Sequence, residues 1–373
     1  MSNDLIFALD IGTRSVIGVV MKKTPKGLEI TASEYLEHQN RSMVDGQIHD
    51  VEQVAITIRA VKEKLEAKTG QPMVQVAVAA AGRALRTVKL KSVADVEKNR
   101  EIERDDILRL ELQAVQEAQI KLAESEQTEE DRALNYHCVG YSIVQYELDG
   151  YKLSSLYGQK GTIIGVEIIA TFLPRVVVDS LFAVLKRAGL EMVSLTLEPI
   201  AASAVVVPPG MRQLNIALVD VGAGTSDVAV TQDGAIIGYG MVPMAGDEIT
   251  ENISDCFLVD FNQGEIIKRS VQDSEEVTFT DILGTEQMVS KQEVFDALAD
   301  IVLFLASKIA EKILELNGRP PQAVICIGGG SLTPMLTAKL ADQLGLPELR
   351  VGIRGRDAIT GVFGAQELWG PEA

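Results

Sequence analysis

One pattern occurs twice along the chain, and it constrains the possible folds more than any other feature. Near the start, LIFALDIGTRSVIGVV places Asp10 at the end of an apolar segment, followed by Gly-Thr and a second apolar segment. Far downstream, LNIALVDVGAGTSDVAVTQDG repeats this plan around Asp220. Each copy predicts a β-hairpin with glycine in its turn. One copy alone is typical of any tight hairpin, but two copies that each end a buried strand in aspartate are not explained by coincidence.

Length and charge limit the class of protein. A chain of 373 residues is long enough for two domains or one large bilobed body, and 46% hydrophobic with 24% charged residues is typical of a soluble globular protein. The 53 acidic residues exceed the 35 basic ones, which gives a net charge of -18. Such a surface repels phosphate backbones, so no nucleic acid partner is expected, and its simplest role is solubility.

The cysteine, histidine and hydropathy patterns give no indication of a disulfide framework, a zinc site, a signal peptide or a membrane helix. No Cys-x-x-Cys spacing occurs, so a disulfide framework or zinc site is disfavoured. The three cysteines, Cys138, Cys256 and Cys326, lie far apart from one another, and the three histidines, His38, His49 and His137, are scattered as well. The N-terminus lacks the basic and apolar regions of a signal peptide, and no apolar stretch reaches the roughly 20 residues of a membrane helix. The sequence therefore predicts a cytoplasmic protein.

The first half of the chain has the pattern of an α/β lobe with an insertion. GLEITASEYLE predicts a strand, residues 51–68 a helix and residues 75–81 a buried strand, within a first lobe that begins with residues 1–81. From 82 to 175 a charged strand-to-helix stretch, with Asp105 or Asp106 expected to cap the helix, leads into strand patterns at 135–157 and 162–173. We interpret residues 82–175 as an inserted subdomain, although an extension of the first lobe stays open as the alternative.

The second half predicts a return to the first lobe and then a second lobe. Residues 176–208 contain a helix that ends at Gly189 as its C-cap, and residues 209–373 form the second lobe. Further elements are expected as helices over 249–257, 263–269, 294–316 and 334–344, a polar, turn-rich stretch over 273–288, the strand of AVICIGGGS and a short terminal strand and helix.

The two Asp-Gly-Thr hairpins suit a phosphate chain that carries a divalent cation. Their glycines let the backbone approach phosphate oxygens, and Thr13 and Thr225 supply hydroxyl donors. Asp10 and Asp220 repel phosphate but can hold hydrated Mg²⁺. A P-loop is excluded because GxxxxGK[ST] does not occur, and GAGTSD has aspartate where a dinucleotide fingerprint needs its last glycine.

Two further motifs lie later in the chain. The run from Gly328 to Ser331 follows an apolar strand, and its three glycines suit a flat base or ribose, although such runs also serve tight packing. Glu198 precedes Pro199 and an alanine-rich helix. This carboxylate either serves only the start of the helix or points into a cleft.

Four motifs occur in a fixed order over residues 10–331: DxGT, EPxAA, DxGxGTxD and GGGS. With these motifs in this order, the chain resembles the superfamily of actin, DnaK-type chaperones and sugar kinases. That resemblance implies an α/β, bilobed actin-like ATPase fold with two duplicated RNase H-like lobes. Within the superfamily, the chain resembles FtsA-like cell-division proteins, with PilM-like pilus proteins as near relatives. The segments that carry this resemblance are LDIGTRSVIG, VAVAAAGRALRT, EIERDDILR, LEMVSLTLEPIAAS, AGDEIT and GEIIK. FtsA-like proteins carry an inserted α+β subdomain in the first lobe, and residues 82–175 fit its position and size.

The resemblance implies ATP or ADP with Mg²⁺ as cofactors. Asp10 and Asp220 are the expected Mg²⁺-water holders, and Glu198 is the expected catalytic residue that orients attacking water. Glu265 and Lys268 match residues that contact ribose and base. The full set of expected nucleotide contacts is Asp10, Gly12, Thr13, Arg14, Asp220, Gly222, Gly224, Thr225, Asp227, Gly246, Asp247, Glu265, Lys268, Gly328, Gly329, Gly330 and Ser331.

Two features depart from the family pattern. Many actin-like members carry lysine where this chain has Ile17, and the nearest cation is Arg14, which argues against fast hydrolysis more than against nucleotide binding. FtsA-like proteins usually end in a linker and a basic amphipathic membrane-targeting helix, whereas this sequence ends in ELWGPEA. Contact with a membrane is therefore not expected from residues 1–373 themselves.

The leading hypothesis is an FtsA-type ATP-binding protein of cell division whose nucleotide state controls self-assembly or docking. Its expected partners are copies of itself, and division-ring or pilus proteins that contact the inserted subdomain or the second lobe and bring it to the inner face of the membrane. Slow Mg²⁺-dependent hydrolysis and binding without hydrolysis both stay open. A PilM-like adaptor of pilus assembly is the first alternative. A metabolic kinase is less favoured because no further Asp motif resembles a general base, and a chaperone because no substrate-binding domain follows.

Overall fold

The computed structural model describes residues 5–81, 84–97, 100–125, 135–207, 210–211, 213–355 and 362–363. Its α-helices are α1 Val51–Thr69, α2 Arg104–Ser125, α3 Arg175–Arg187, α4 Glu198–Val206, α5 Gly246–Phe257, α6 Phe261–Asp273, α7 Lys291–Asn317 and α8 Leu336–Leu344. Its strands are β1 Leu5–Ile11, β2 Ser15–Thr24, β3 Gly27–Glu37, β4 Met43–Val44, β5 Gln47–Ile48, β6 Gln75–Ala80, β7 Arg86–Asp95, β8 Tyr136–Leu148, β9 Tyr151–Leu153, β10 Ile163–Pro174, β11 Glu191–Leu197, β12 Ile216–Val221, β13 Ser226–Gln232, β14 Ala235–Val242, β15 Glu276–Thr280, β16 Glu286–Ser290, β17 Ala323–Ile327, β18 Val351–Ile353 and β19 Val362–Phe363.

The first lobe is built on a six-stranded sheet in the order β11-β6-β1-β2-β3-β19. β1, β2 and β3 form an antiparallel meander, β6 runs parallel to β1, and β11 runs parallel to β6. The Asp50 side chain caps the start of helix α1 by accepting hydrogen bonds from the backbone N–H groups of Glu52 and Gln53. The helix ends at Gly70, which adopts the left-handed conformation. Its buried face joins the sheet in one apolar core.

The second lobe repeats this connectivity with a five-stranded sheet in the order β14-β13-β12-β17-β18. The meander β12-β13-β14 corresponds to β1-β2-β3, and the parallel strands β17 and β18 take the places of β6 and β11. The predicted duplication is thus present in the topology. The long amphipathic helix expected over 294–316 is α7, which starts at a Ser290–Glu293 capping box and buries one face in the second core.

Residues between β6 and α3 form a four-stranded antiparallel sheet, in the order β7-β10-β8-β9, with α2 packed on it around a core of its own. The cap of α2 differs from the prediction. Because α2 begins at Arg104, Asp105 and Asp106 lie within its first turn, and Asp106 reaches back to accept from the Glu103 N–H at 2.9 Å. The strand pattern at 135–157 proves to be two strands joined by a tight turn at Asp149–Gly150.

The stretch 273–288, predicted to be turn-rich, contains the antiparallel pair β15–β16. The signal was short: Val277 and Phe279 alternate with polar residues and enter the second core. The expected terminal helix falls on residues 364–373, outside those described, and so do the subdomain boundaries near residues 82 and 208–209. None of the described helices combines the length and apolar character needed to cross a membrane.

A fourth apolar cluster joins the inserted sheet, α4 and the second lobe. Ile169 of β10, Val207 after α4 and Tyr239 of β14 are buried in it together. The hydroxyl groups of Ser142 and Tyr239 lie 2.9 Å apart, within hydrogen-bond distance, across the same junction. The inserted sheet therefore contacts the second lobe directly, as well as the first lobe that contains it.

Candidate functional site

The two hairpin turns share one backbone geometry. In the β1–β2 turn the Gly12 N–H donates to the Ser15 carbonyl at 3.0 Å, and in the β12–β13 turn the Gly222 N–H donates to the Thr225 carbonyl at 2.9 Å. The turns also meet: a Cβ atom added at Gly224 would lie 3.0 Å from Cγ2 of Thr13. The structure therefore brings both predicted phosphate turns to one place between the lobes.

Four acidic side chains collect behind these turns. Asp10 and Asp220 are the second-last residues of β1 and β12, Asp227 lies opposite Asp220 in the hairpin register, and Glu198 begins α4. Oδ1 of Asp10 and Oε1 of Glu198 are fully enclosed and accept no hydrogen bond among the described residues. Such carboxylate oxygens are costly in an empty site and are satisfied by a cation.

The protonation of the acids reflects this crowding. Burial, and then the negative charge of Asp220, raise the pKa of Asp10 to about 7. Burial raises the pKa of Asp220 to about 6. Burial followed by the charges of Asp10, Asp227 and Asp220 raises the pKa of Glu198 well above its usual value. The site therefore favours either protons or a bound cation.

The start of α5 supports the second turn. The N–H groups of Gly246 and Asp247 donate to the carbonyls of Gly222 and Ala223 at 3.2 and 2.8 Å. Burial raises the pKa of Asp247, although the nearby cations Lys268 and Arg41 oppose this. The predicted turn and helix start after Gly246 thus lie beside the second phosphate turn.

The glycine loop after β17 packs on the same turn from the other side. Gly328 has a φ of 81°, and a Cβ atom there would overlap Oδ1 of Asp220 and lie 2.5 Å from the Val221 carbonyl oxygen. At Gly329 an added Cβ would meet nothing within 4 Å. The Ser331 hydroxyl donates to the Gly328 carbonyl at 2.6 Å, so it shapes the loop rather than facing the cleft. Gly329 is thus the open position of the predicted adenosine loop.

An ion cluster around Glu265 crosses between the lobes. Arg14 of the first turn contacts Glu265 of α6 at 2.8 Å, while Lys268 and Arg269 contact the same carboxylate at 2.7 and 2.9 Å. Burial alone would raise the pKa of Glu265, but Lys268, with contributions from Thr250 and Arg14, lowers it to about 2. The residues predicted for ribose and base therefore lie in the cleft, where they pair with each other and with the first turn.

Other cleft residues escaped the sequence reasoning. Glu37 accepts from Arg14 at 3.2 Å, and Arg41 pairs with Glu251 at 2.8 Å across the lobes. The Gly46 N–H donates to Oγ1 of Thr13 at 3.0 Å. No sequence signal indicated these contacts, because partners so distant in sequence leave no local pattern. Ile17, the position that departs from the family pattern, lies opposite Asp10 in the β1–β2 register.

The donor set fits a magnesium nucleotide better than a bare metal ion. Among the residues that the structure describes, no three His, Cys, Asp or Glu side chains are arranged to hold a metal by themselves. Mg²⁺ prefers carboxylates combined with waters and phosphate oxygens. Enclosed carboxylate oxygens beside two glycine turns suit that combination.

Comparisons with known proteins agree with this geometry. The family model described as "Cell division protein FtsA" matches residues 217–363. The chain is 23% identical to cell division protein FtsA of Bacillus subtilis (strain 168), covering 97% of this chain and 82% of that protein. Among solved structures, it is similar to the PilM-PilN type IV pilus biogenesis complex, with a TM-score of 0.70, 14% identity and coverage of 98% and 92% of the two chains. It is also similar to MreB5 of Spiroplasma citri bound to ADP, with a TM-score of 0.52, 16% identity and coverage of 95% and 92%.

The duplicated sheets and the structural neighbours define a bilobed protein with the actin-like ATPase fold. Within that class the chain is similar to FtsA cell-division proteins, which the matching family model and the curated relatives describe, as the sequence resemblance indicated. The PilM-like alternative fits the same fold.

Proposed function

We propose that this chain is an FtsA-type ATP-binding protein of bacterial cell division whose two lobes close around Mg-ATP. The single observation that carries the proposal is the pair of matching glycine turns that meet beside the enclosed carboxylate of Asp10 and the neighbouring carboxylate of Asp220. One cleft thus offers backbone donors for phosphate and acids for the accompanying cation. The similarity to MreB5 bound to ADP supports nucleotide as the ligand.

Each set of residues has a distinct proposed role. Asp10 and Asp220 hold the waters of Mg²⁺, and the two turns cradle the phosphates. The Glu265–Lys268 pair and the Gly329 position receive the ribose and base. Bound Mg²⁺ would supply the positive charge that the four crowded carboxylates lack, since Arg14 and Lys268 are already paired with Glu265. Nucleotide state then controls self-assembly or docking to division partners.

Binding is tested by thermal unfolding of the purified chain with ATP, with and without Mg²⁺. A ligand at 100 times its Kd stabilises the folded state by about 2.7 kcal/mol, which raises Tm by several degrees in a protein of this size. We expect that shift only when both ATP and Mg²⁺ are present. An unchanged Tm at millimolar Mg-ATP contradicts the proposal. Sedimentation of the same samples tests nucleotide-dependent assembly.

Glu198 is the proposed water-positioning residue if ATP is hydrolysed. Glu198→Gln is expected to preserve the Mg-ATP thermal shift and to reduce phosphate release roughly 100-fold or more, because the amide cannot accept the proton of an attacking water. Phosphate release is measured under saturating Mg-ATP, with the exposed Glu191→Gln as control. Equal turnover in Glu198→Gln and wild type would assign hydrolysis to another group, and a wild type without turnover would be a nucleotide-binding protein only.

A PilM-like adaptor is the second candidate, favoured by the TM-score of 0.70 to the PilM-PilN complex. An apolar cavity lies between the β4–β5 hairpin and α3, where Met43, Val177 and Leu181 line it. A short peptide from a membrane partner would suit such a groove. Pull-downs with division-ring and with pilus proteins separate the two candidates, and Val176→Asp, at an exposed position that lines the same cavity, should weaken capture of a pilus partner.

A further inference from the structure

Residues 38–46, which we call the strap, follow β3 and lie on the first phosphate turn. The backbone N–H of His38 donates to the Arg14 carbonyl at 2.9 Å, and Nε2 of the His38 side chain lies 3.2 Å from the Gly12 carbonyl oxygen. At the other end of the strap, the Gly46 N–H donates to Oγ1 of Thr13 at 3.0 Å. The strap thus holds the turn at both of its ends and leaves the Thr13 hydroxyl proton available as a donor.

The same strap reaches the second lobe. Nη2 of Arg41 lies 2.8 Å from Oε1 of Glu251 on α5, and its guanidinium stacks 4.7 Å from the centre of the Phe261 ring at the start of α6. Beside Gly46, the Asp45 backbone is so close to the second turn that a Cβ atom added at Gly224 would lie 2.9 Å from Cα of Asp45. The strap therefore spans the mouth of the cleft.

The two sets of contacts differ in strength. Met43 is 3% exposed within the first core, and the Ser42 carbonyl accepts from the N–H groups of His49 and Asp50, so the strap is anchored to the first lobe. The Arg41 and Glu251 side chains are 49% and 50% exposed. Exposed ion pairs are weak and are screened by salt. When the lobes separate, the strap therefore keeps its anchors in the first lobe and loses its contacts to the second lobe, those of Arg41 among them.

We propose that the strap is a salt-sensitive latch whose release at Arg41 limits the rate of nucleotide exchange. This inference rests on the proposed nucleotide site. The latch joins the Thr13 turn, which would contact phosphate, to α5 and α6, whose residues would contact the second phosphate turn and the ribose. Opening the cleft enough for a nucleotide to leave separates Arg41 from both Glu251 and Phe261.

The test measures dissociation of a fluorescent ATP analogue from the full chain in Mg²⁺, chased with excess ATP. Arg41→Gln and Glu251→Gln are expected to speed dissociation roughly 3- to 10-fold, the range that an exposed ion pair plus a cation–π contact supports. Arg59→Gln is the matched control, because its guanidinium donates to the Arg187 carbonyl within the first lobe. Raising salt from 50 to 500 mM should speed dissociation in wild type and in Arg59→Gln, but much less in Arg41→Gln.

A charge swap and a nucleotide-free measurement complete the test. The pair Arg41→Glu with Glu251→Arg should recover part of the slow dissociation that either single change loses. Without nucleotide, amide hydrogen exchange over residues 38–46 should be faster in Arg41→Gln than in wild type. Unchanged dissociation together with unchanged exchange in Arg41→Gln overturns the latch. If wild type binds no nucleotide at all, the proposed function fails, while faster hydrogen exchange still supports the latch and equal exchange rejects it.

Discussion

Asp10→Asn is expected to abolish stabilisation by Mg-ATP and at the same time to make the nucleotide-free protein more stable at pH 8. The asparagine keeps the shape of the side chain but removes one of the crowded charges that Mg²⁺ would balance. Asp220→Asn should act in the same direction with a smaller gain in stability, because the pKa of Asp220 is raised less, to about 6. Loss of ligand binding with a gain of stability identifies a functional charge cluster.

The pH dependence follows from the sign of these shifts. The pKa of Asp10 is raised by burial and by Asp220 from 3.8 to about 7, so the folded protein binds a proton more tightly than the unfolded chain. The contribution of Asp10 to the free energy of unfolding is therefore fully present below pH 4, and it is lost as pH rises from 4 through 7. Wild type should lose about 1–3 kcal/mol of unfolding free energy over that window through this residue, a loss that Asp10→Asn avoids.

Chemical denaturation at pH 5 and pH 8, with and without Mg-ATP, measures both effects. The exposed Asp255→Asn on α5 is the matched control, and it should follow wild type in each condition. A variant at Asp10 that is still stabilised by Mg-ATP would remove this residue from the cation site. A nucleotide-free variant less stable than wild type at pH 8 would mean that the carboxylate is paired rather than crowded.

Gly328→Ala is expected to be highly destabilising among glycine-to-alanine changes at the positions that the structure describes. The added Cβ would overlap Asp220, approach the Val221 carbonyl, and force alanine to adopt a φ of 81°. A collision with backbone and a carboxylate combined with this backbone conformation should cost about 3 kcal/mol or more. We expect low yield of folded protein and no Mg-ATP response, measured by circular dichroism and thermal unfolding.

Gly329 is the matched control for that change and a probe of the adenosine loop. Gly329→Ala should fold with near wild-type stability, because the added methyl group meets nothing within 4 Å. Gly329→Leu should also fold, but the larger side chain would occupy the space proposed for the base and weaken Mg-ATP binding. Unchanged binding in Gly329→Leu would place the adenosine elsewhere.

The sequence predicted those parts of the fold whose signals are local. The paired hairpins, the strand over 27–37 and the long α7 were all evident from apolar spacing and turn residues. The short β15–β16 pair was missed because two apolar residues in a polar stretch do not establish a strand pattern. Asp105 and Asp106 were misassigned as caps because the helix starts one residue before them.

The candidate site was predictable to the extent that its residues form motifs. Asp10, Asp220 and the turn glycines could be proposed from the sequence because they lie in a repeated strand-and-turn pattern. The interlobe partners of Arg14 and Arg41 were not, since a contact between α6 or α5 and the first lobe is set by how the lobes close. No local sequence pattern encodes how the lobes close, because the closure depends on packing between residues that are far apart in the sequence.

The short strand β19 has a consequence for how the chain is made. Val362 and Phe363 pair in parallel with Leu28 and Glu29, so the edge of the first sheet is completed by residues that leave the ribosome long after the rest of that sheet. During synthesis the emerging first lobe would expose the outer edge of β3 while the entire second lobe is being translated. Acidic residues along β3, such as Glu29 and Glu34, would then discourage that waiting edge from pairing with a neighbouring nascent chain.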